Sequence, residues 1–545
     1  MLRKPPALVW LVVGASLALP LYFVRFTHLV WEDFFITYRF SENLVRGHGL
    51  VYWPGEHVYG FTSPLNTLLP ALFAWLTGAA DFVLPLWLFR ITSLAGLALA
   101  TAAITRLLTR EHAGSRTAFV VSLLFPVIAL LEIKTTAFAM SGQEAGLVLA
   151  FLAPAFALAA AGRWPAHPVL GGLLWAGLMY SRPDGFIYLG AVAVAAFSFP
   201  AGNRRDVAAA LLKSGLVCAL LYLPWILFTW GYYGSPIPQT VVAKYGVETY
   251  ANPAYGLTGP LVAGLIKAPL VLCWALSPIY DWQDAGPGTW PAWIHDAAIL
   301  LELCAVLYWL LPTRDRLGRM ASLVSFLLFG YLTYASLVAQ FAPWYYPPLA
   351  FMSLVALVSA FATLARCVRY ALPARILALC ATAGLLGFLG FVYTASLRPL
   401  RFKQEVIEWN HRRMIGLWLK AHVGPGEKVY LEPLGYIGYF SQCHMLDWPG
   451  LVSPEVVAAR RKLSFKSGYT WMETAEVLLP DWIVARPNEA DGIRHSKVLA
   501  PQYELVKVFD VRDQAQPVAE TPGYRMVFGE LVFGVYHRKK NPGAP

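Results

Sequence analysis

Long apolar runs dominate the chain up to about residue 400, and polar residues collect in the short segments between them. A helix needs about 20 apolar residues to cross the hydrocarbon layer of a membrane, and about eleven runs approach that length. They fall at residues 7–27, 83–107, 117–135, 145–162, 168–181, 184–199, 208–230, 291–311, 320–340, 344–365 and 374–395. The pattern therefore predicts a polytopic α-helical membrane protein.

Two of these runs are short and meet at a helix-breaking sequence, S-R-P-D-G at 181–185. Proline and glycine both interrupt a helix, so the flanking runs are expected to be half-helices that meet within the membrane. A further apolar stretch at 65–76 is expected to lie on or dip into the outer leaflet rather than cross it. If it crossed, the basic loop at 106–116 would face outward, against the orientation that the other loops indicate.

Basic residues in short loops are retained on the cytoplasmic side of a membrane. With the N-terminus inside, the predicted alternation puts every basic cluster on that one face. The clusters are Arg3/Lys4, Arg106/Arg110/Arg116, Arg163, Arg204/Arg205/Lys213, Arg314/Arg316/Arg319 and Arg366/Arg369/Arg375. The N-terminus is therefore expected in the cytoplasm.

The amino-acid composition agrees with this prediction and excludes other classes of protein. Hydrophobic residues make up 57% of the 545 residues and charged residues 14%, against about a quarter charged in soluble domains. An ordinary cytosolic enzyme and a disordered chain are excluded. The net charge of +11 is accounted for by the cytoplasmic loops, so no nucleic-acid partner is expected.

The first apolar run follows a basic start and has features of both a signal peptide and a membrane anchor. It is long enough to span and lacks a small-x-small cleavage sequence, so we interpret it as an uncleaved anchor. The six cysteines include no CxxC pair, which argues against a zinc knuckle or a disulfide framework.

Three larger segments are predicted on the outer side of the membrane: a first loop at 28–83, a second loop at 231–290, and the tail. Residues 1–397 would form the transmembrane module, and residues 398–545 the tail domain. The tail domain is expected to be an extracytoplasmic α/β domain without a nucleotide site, because no glycine-rich phosphate loop follows a strand. Its pattern predicts an amphipathic helix at 403–421, a Gly-Pro-Gly turn, and strands at 428–431, 482–485, 505–509 and 531–536.

Two adjacent carboxylates, Glu32 and Asp33, open an amphipathic helix just beyond the first span. The helix dipole favours acidic residues in a first turn, which is one explanation for the pair. The other explanation is catalytic. A carboxylate beside Trp31, Phe34 and Phe35 at the membrane surface is partly desolvated, and this prepares it to act as a general base.

The sequence around this pair resembles a known signature. Residues 32–56 read E-D-F-F-I-T-Y-R-F-S-E-N-L-V-R-G-H-G-L-V-Y-W-P-G-E, and G-F-T-S-P-L follows at 60–65. The run is similar to the first-loop motif of the GT-C superfamily of membrane glycosyltransferases, and within it to the group of the mycobacterial terminal arabinofuranosyltransferases. The same group is resembled by S-G-Q-E at 141–144, S-R-P-D-G at 181–185, Y-Y-G-S-P-I-P-Q-T at 232–240 with Lys244, I-G-L-W-L at 415–419, P-L-G-Y-I-G-Y at 433–439 and D-W-P-G-L-V at 447–452.

The resemblance implies an inverting glycosyltransferase of the bacterial plasma membrane. Its donor would be a polyprenyl-phosphate-linked sugar, with arabinofuranose suggested by the nearest group, and its acceptor a cell-envelope glycan or lipid on the outer face. The family usually has Asp-Asp where this chain has Glu32-Asp33, so the choice of base between the two stays open, with Asp33 favoured by chemical type.

Lys244 and Arg182 are expected to hold the donor phosphate, because each follows a helix-breaking motif on the outer side and each can stabilise a growing negative charge. The alternative for Lys244 is an interfacial lysine whose ammonium reaches the headgroups. The alternative for Arg182 is a structural pair with Asp184.

Glu144, Arg39 and His48 are expected to support the acceptor or a metal ion, with loop packing as the alternative for His48. Some superfamily members use a divalent cation and others do not. In this chain the ligands of Mg²⁺ or Mn²⁺ would be Asp33 and Glu144, since hard cations prefer oxygen ligands.

Several other polar and aromatic residues are expected to be structural. Glu302 lies in an apolar run and should face protein, because a carboxylate is costly in lipid. Trp344, Tyr345 and Tyr346 fit an interfacial aromatic belt, with a donor cavity as the alternative. The tail-domain aromatics are expected to fill its core rather than to stack on sugars: Tyr436, Tyr439, Phe440 and Trp448.

Two other functions compete with glycosyl transfer. A secondary transporter also has about a dozen spans, but transporters place their sites at the bilayer midplane of repeated halves, and no repeat is evident. A non-catalytic envelope-assembly scaffold is the second alternative. The substitution of Glu32 for the usual Asp keeps that alternative open.

Overall fold

The computed structural model describes residues 7–245, 258–279, 288–338, 342–367, 371–463 and 470–539. The predicted second outer loop at 231–290 lies partly outside the described residues. So do Arg3, Lys4 and Arg369 of the predicted cytoplasmic clusters.

Within the described ranges, seven helices are long and apolar enough to cross a membrane. They are Ala7–Thr27, Val83–Glu111, Arg204–Tyr233, Ala292–Leu310, Arg316–Leu337, Pro347–Leu364 and Ala371–His422. The pair Arg116–Leu131 and Ile133–Met140 passes the same test together but is bent by 57°. Shorter apolar helices accompany them at Ala145–Ala160, Pro168–Ser181, Gly185–Ser198 and Val262–Leu276. The chain is a multi-pass membrane protein, as its apolar runs predict.

The remaining bounds complete the helical module. Its α-helices are Ala7–Ser16, Ala18–Thr27, Glu32–Val45, Pro64–Thr77, Val83–Glu111, Arg116–Leu123, Phe125–Leu131, Ile133–Met140, Ala145–Ala160, Pro168–Ser181, Gly185–Ser198, Arg204–Tyr233, Gln239–Lys244, Thr258–Leu276, Ala292–Leu307, Arg316–Val338, Pro347–Leu364 and Ala371–Phe402. We call Glu32–Val45 the first-loop helix and Gln239–Lys244 the lysine helix.

The predicted break at 181–185 is present. The helix Pro168–Ser181 ends there and Gly185–Ser198 begins, with Arg182 between them in an extended conformation (φ −157°, ψ 137°). Proline at 183 lacks the N–H that would continue the first helix.

One apolar helix, Thr258–Leu276, lies inside the segment predicted as the second outer loop. It packs beside the helices Ala292–Leu307 and Arg316–Val338. The sequence pattern missed it because its apolar stretch is shorter than the length expected of a full span.

A five-stranded sheet forms the centre of the tail domain. The strands are β1 Lys428–Leu431, β2 His444–Asp447, β3 Trp482–Ala485, β4 Tyr503–Asp510 and β5 Val532–Arg538, in the spatial order β2-β1-β3-β5-β4. β1 is parallel to β2 and β3, and β5 is antiparallel to β3 and β4. The four predicted strands are confirmed, and β2 is an addition. The helices around the sheet are Leu434–Ser441, Pro454–Lys462, Trp471–Leu478, Pro487–His495, Leu499–Gln502 and Arg512–Ala515.

The last helix runs from the membrane into the tail domain, so the boundary predicted at 398 falls within continuous helix. Its middle part, Lys403–Arg412, is π-helical, and Arg413–His422 returns to α. A π-helix brings residues five apart over one another. Accordingly, the Lys403 ammonium lies 2.5 Å from the Glu408 carboxylate.

Aromatic packing fixes the tail domain against the first-loop helix. The ring of Phe35 lies 4.5 Å from that of Tyr436 and 4.9 Å from that of Tyr439, measured between centroids. Tyr436, Tyr439 and Trp448 are all buried. The prediction that the tail-domain aromatics fill a core is confirmed for these three, while Phe440 is half-buried at its edge. Part of that core belongs to the first outer loop.

A cluster of ionised side chains crosses the same junction. Arg412 contacts Glu32 at 2.5 Å, Glu408 at 3.2 Å and Glu530 at 2.8 Å. Arg486 contacts Glu530 at 2.8 Å, and it also pairs with the carboxylates of Glu432 and Glu489. Five carboxylates therefore share Arg412, Arg486 and Lys403, which ties the last helix to both the first-loop helix and the sheet. We call this set the junction cluster.

Replacing Glu530 by Gln is expected to lower the melting temperature of the full-length protein, because Arg412 and Arg486 lose the carboxylate that they share. The two guanidinium groups lower the pKa of Glu530 from 4.5 to about 2. Ionised Glu530 therefore stabilises the folded protein by on the order of 3 kcal/mol at pH 7. This contribution is complete above pH 4.5 and is lost as the pH falls towards 2.

Thermal unfolding in detergent at pH 7 and at pH 3.5 measures the effect. The matched control is Glu405→Gln, since Glu405 pairs with Arg401 at 2.8 Å on the surface, with both side chains nearly half exposed. The control should change stability by less than about 1 kcal/mol. Equal shifts for the two variants, or a Glu530→Gln shift of the same size at both pH values, would contradict the assignment.

Candidate active site

The start of the first-loop helix is held beside the S-G-Q-E turn at 141–144. The backbone N–H of Trp31 donates to the Ser141 carbonyl at 2.8 Å. Gly142 has φ +93°, and a Cβ there would lie 2.6 Å from a ring carbon of Phe34. Only glycine allows this approach without a shift of Phe34. Two motifs that are more than a hundred residues apart in sequence therefore meet.

A pocket opens where these segments meet. The first-loop helix, the loop at 60–63, the S-G-Q-E turn, the lysine helix and the 344–345 segment each contribute to its walls, and the tail domain contributes Leu451. The full lining is Asp33, Ile36, Thr37, Gly60, Phe61, Thr62, Ser63, Asn66, Gln143, Glu144, Thr240, Lys244, Trp344, Tyr345 and Leu451. Asp33, Glu144 and Lys244 of the predicted site residues are brought together here.

Asp33 is the first-loop carboxylate that faces the pocket. Its side chain makes no hydrogen bond or ion pair to any residue in the described ranges. Burial raises the pKa of Asp33 to about 6, and the nearby Lys244 ammonium limits the rise. A carboxylate with these properties is ionised near neutral pH and still basic enough to accept a proton.

Glu32 points the other way, into the junction cluster. Its carboxylate pairs with Arg412 at 2.5 Å and accepts a hydrogen bond from the Gly435 N–H at 3.1 Å. A Cβ at Gly435 would lie 2.3 Å from Glu32 Cγ, so glycine is required at this contact. Burial raises the pKa of Glu32 to about 7. The neighbouring carboxylates of Glu408, Glu432 and Asp33 add to the rise, and Arg412 opposes it. Glu32 does not line the pocket.

Lys244 is the last residue of the lysine helix and faces the aromatic wall of the pocket. Its ammonium lies 5.5 Å from the centre of the Trp344 ring and 6.0 Å from that of Tyr345. No described carboxylate lies within ion-pairing distance of it. The charge is therefore available to an anion in the pocket.

Arg182 lies behind the pocket and is fully engaged with carboxylates. It contacts Glu144 at 2.5 Å and Asp184 at 2.8 Å and 3.1 Å, and its guanidinium stacks 4.2 Å above the Tyr345 ring. The side chain is buried and absent from the pocket lining. This geometry agrees with the alternative prediction, in which Arg182 is a structural partner of Asp184. The ion pair with Glu144 also orients the Glu144 carboxylate.

Arg39 and His48 lie away from the pocket. Arg39 is buried and joins Glu42, the Tyr52 carbonyl and the Gln442 side chain, which links the first-loop helix to the tail domain. His48 is exposed in the loop after that helix. The geometry gives neither residue a place at the pocket.

Asp33 and Glu144 are the predicted ligands of a metal ion. The described residues include no group of three or more His, Cys, Asp or Glu side chains placed to hold a metal ion. Asp33 and Glu144 both line the pocket, but one Glu144 oxygen is taken by Arg182. This donor set does not fit Mg²⁺ or Mn²⁺, and no chemical step is assigned to a metal.

Sequence reasoning missed part of the site. Trp344 and Tyr345 line the pocket instead of serving only as an interfacial belt, while the neighbouring Tyr346 is buried in the core. Leu451 comes from the D-W-P-G-L-V motif, which gave no hint of its position. By contrast, Glu302 is buried and accepts a hydrogen bond from Ser353 at 2.7 Å, which confirms the structural role predicted for it.

Comparison with known sequences gives two matches. Residues 402–527 match a family described as a domain of unknown function, DUF8728. The chain is also 29% identical over 239 residues to the terminal β-(1→2)-arabinofuranosyltransferase of Mycobacterium tuberculosis. That alignment covers 39% of this chain and 34% of the relative, so this chain matches about a third of the relative's length.

Two solved structures share the architecture. The oligosaccharyltransferase of Archaeoglobus fulgidus, tethered to an acceptor peptide, aligns with a TM-score of 0.53 and 15% identity over 92% of this chain and 72% of that one. The archaeal oligosaccharyltransferase from the same organism, in complex with an inhibitory peptide and a dolichol-phosphate, gives 0.51 and 13% over 98% and 75%. The chain therefore has the fold of the GT-C membrane glycosyltransferases, as its first-loop motif predicts.

Proposed function

We propose that the chain is an inverting glycosyltransferase that moves a sugar from a polyprenyl-phosphate donor to a cell-envelope glycan or lipid acceptor. The observation that carries the proposal is the placement of Asp33, an unpaired and partly desolvated carboxylate, opposite the Lys244 ammonium in one pocket. A general base and a cation for a leaving phosphate are the two groups that this reaction needs from a protein.

Asp33 is the general base in this proposal. Its carboxylate accepts the proton of the acceptor hydroxyl while the hydroxyl oxygen forms a bond to the anomeric carbon of the sugar. The bond from that carbon to the phosphate oxygen breaks on the opposite face, and polyprenyl phosphate leaves with the electron pair. One displacement of this kind inverts the anomeric carbon.

Lys244 balances the charge that grows on the leaving phosphate. The ammonium already lies against Trp344 and Tyr345, whose rings attract a cation and hold it at the pocket wall. The adjacent Thr240 and Gln143 add polar groups to the same wall. Arg182 acts through Glu144, whose carboxylate it holds in an ion pair at the edge of the pocket.

The location follows from the chemistry of the donor. Outside the cytoplasm, a sugar donor is available in lipid-linked form. The basic loops indicate that the face of the protein opposite the pocket is cytoplasmic. We therefore place the pocket and the tail domain on the outer face of a bacterial plasma membrane, with the N-terminus in the cytoplasm. Arabinofuranose is the first sugar to test, because the matching mycobacterial relative is a terminal arabinofuranosyltransferase.

Asp33→Asn is expected to reduce kcat by at least about 100-fold, because a positioned base contributes about 10²–10⁴ to the rate. Glu32→Gln, a matched change at the neighbouring position, should keep kcat within about tenfold, since Gln can still bond to Arg412 and Gly435. Transfer is measured in nanodiscs with a panel of polyprenyl-phosphate sugars that includes arabinofuranose, and with glycan acceptors. Loss in Glu32→Gln with retention in Asp33→Asn would move the base to Glu32.

The pH dependence provides an independent test in the wild type. Only ionised Asp33 accepts a proton, so kcat/KM should rise about tenfold per pH unit below pH 6 and level off above it. If no donor in the panel turns over at any pH, the proposed function fails.

A desolvated base should also reduce stability. The pKa of Asp33 is higher in the folded protein (about 6) than the ordinary value of 3.8, so the folded state is most stable with Asp33 protonated. That stability is complete below pH 3.8 and is lost as the pH rises through about 6. Asp33→Asn is expected to be more stable than the wild type by on the order of 3 kcal/mol at pH 8, and by little at pH 4.

Melting temperatures at pH 4, 6 and 8 measure this gain, with Asp513→Asn as the control because Asp513 is exposed in the tail domain. A gain that is absent at pH 8, or equal at all three pH values, would show that Asp33 is not held in a desolvated site.

A further inference from the structure

The lysine helix is too short to hold its own position. It has six residues, and isolated helices of this length are unstable in water. Its first N–H, from Gln239, donates to the Tyr59 carbonyl at 2.7 Å. This bond anchors the start of the helix to the first outer loop, but Lys244 is at the other end.

The other end is held by Arg460 of the tail domain. One nitrogen of the Arg460 guanidinium, Nη1, donates to the Ala243 carbonyl at 2.8 Å and to the Pro449 carbonyl at 2.8 Å. The last carbonyls of a helix lack partners within the helix, and a cation there is favoured by the helix dipole. Arg460 thus joins the residue before Lys244 to the segment 448–453, which we call the tail loop.

The tail loop is itself rigidly held. The buried Asp447 carboxylate accepts hydrogen bonds from the N–H groups of Gly450, Leu451 and Val452 at 3.2, 2.5 and 3.0 Å, and from the Ser453 hydroxyl at 2.9 Å. Four donors on one carboxylate fix the course of the loop. A guanidinium bonded to such a loop has a fixed position in turn.

The tail loop also reaches the pocket. Leu451 belongs to the pocket lining, and a Cβ at Gly60 would lie 3.1 Å from the Leu451 carbonyl and 2.7 Å from a Val452 methyl carbon. The Gln239 side chain donates to the Gly450 carbonyl at 3.4 Å. The lysine helix therefore contacts the tail loop at Gln239 and is joined to it at Ala243 by Arg460, and the loop contacts the pocket wall at Gly60.

We propose that Arg460 is a positioning residue for Lys244, and that it makes phosphate binding in the pocket depend on the tail domain. The inference rests on the proposed role of Lys244 as the cation for the donor phosphate. Arg460 does not line the pocket, and its effect passes through the Ala243 carbonyl.

The experiment is a double-mutant cycle on binding of undecaprenyl phosphate, without sugar, to the full-length protein in nanodiscs. Lys244→Ala is expected to weaken binding about tenfold, and Arg460→Gln about threefold or more. The double variant should bind no more than about twofold worse than Lys244→Ala alone, because Arg460 has nothing left to position. Arg460→Lys should also weaken binding, since an ammonium does not reproduce the fixed geometry of a guanidinium.

The control is Arg494→Gln, which removes an exposed arginine of the tail domain paired with Asp491 on the surface. It should bind like the wild type. The inference would be overturned if the double variant lost affinity by the product of the two single fold-changes, or if neither Arg460 substitution changed the affinity. The proposed function would stand in both cases. No effect of Lys244→Ala would remove the phosphate role itself and the inference with it.

A second readout separates positioning from loss of structure. The Lys244 ammonium lowers the pKa of Asp33, so displacing it should move the inflection of kcat/KM to higher pH in both Lys244→Ala and Arg460→Gln. A variant that only destabilises the tail domain would lose activity without moving the inflection. If the inflection of kcat/KM moves in Lys244→Ala but not in Arg460→Gln, Arg460 does not position Lys244.

Discussion

Arg412 holds Glu32 through an ion pair of 2.5 Å at the point where the last helix, the first-loop helix and the tail domain meet. Two adjacent carboxylates would otherwise repel each other and compete for one pocket. Because Arg412 retains Glu32 in the junction cluster, the next residue of the helix turns toward the pocket and remains unpaired. One helical position thus separates a carboxylate held in an ion pair from one that faces the pocket.

Much of the fold could be predicted from the sequence, because membrane helices depend on local properties. The apolar runs, the break at 181–185 and four strands of the tail domain depend on the period and length of hydrophobic segments, and they recur in the structure. The prediction that Asp33, Glu144 and Lys244 are site residues depended on motifs rather than on the period of the hydrophobic residues. The helix Thr258–Leu276 was missed because its apolar part falls below the length of a span.

The junction cluster could not be predicted, for a physical reason. The residues at 403–412 form an amphipathic pattern that indicates an ordinary α-helix, in which residues four apart align. The observed π-helix instead aligns Lys403 with Glu408, and it turns Arg412 toward Glu32. Arg412 pairs there with Glu32 and Glu530, which are both more than a hundred residues away in sequence. The positions of Arg182 and Leu451 also depend on contacts between residues that are far apart in sequence, so they could not be predicted either.

The continuous helix Ala371–His422 has a consequence for how the protein is made. Arg412, Leu451, Arg460 and Glu530 all follow the last apolar run, so the ribosome delivers them after every other wall of the pocket is already in the membrane. A chain that stops after its last span would contain Asp33 and Lys244 but would lack Arg412 and Arg460, which contact the helices that carry them. The pocket is therefore complete only after the tail domain, which contributes Leu451, has been synthesised and has folded.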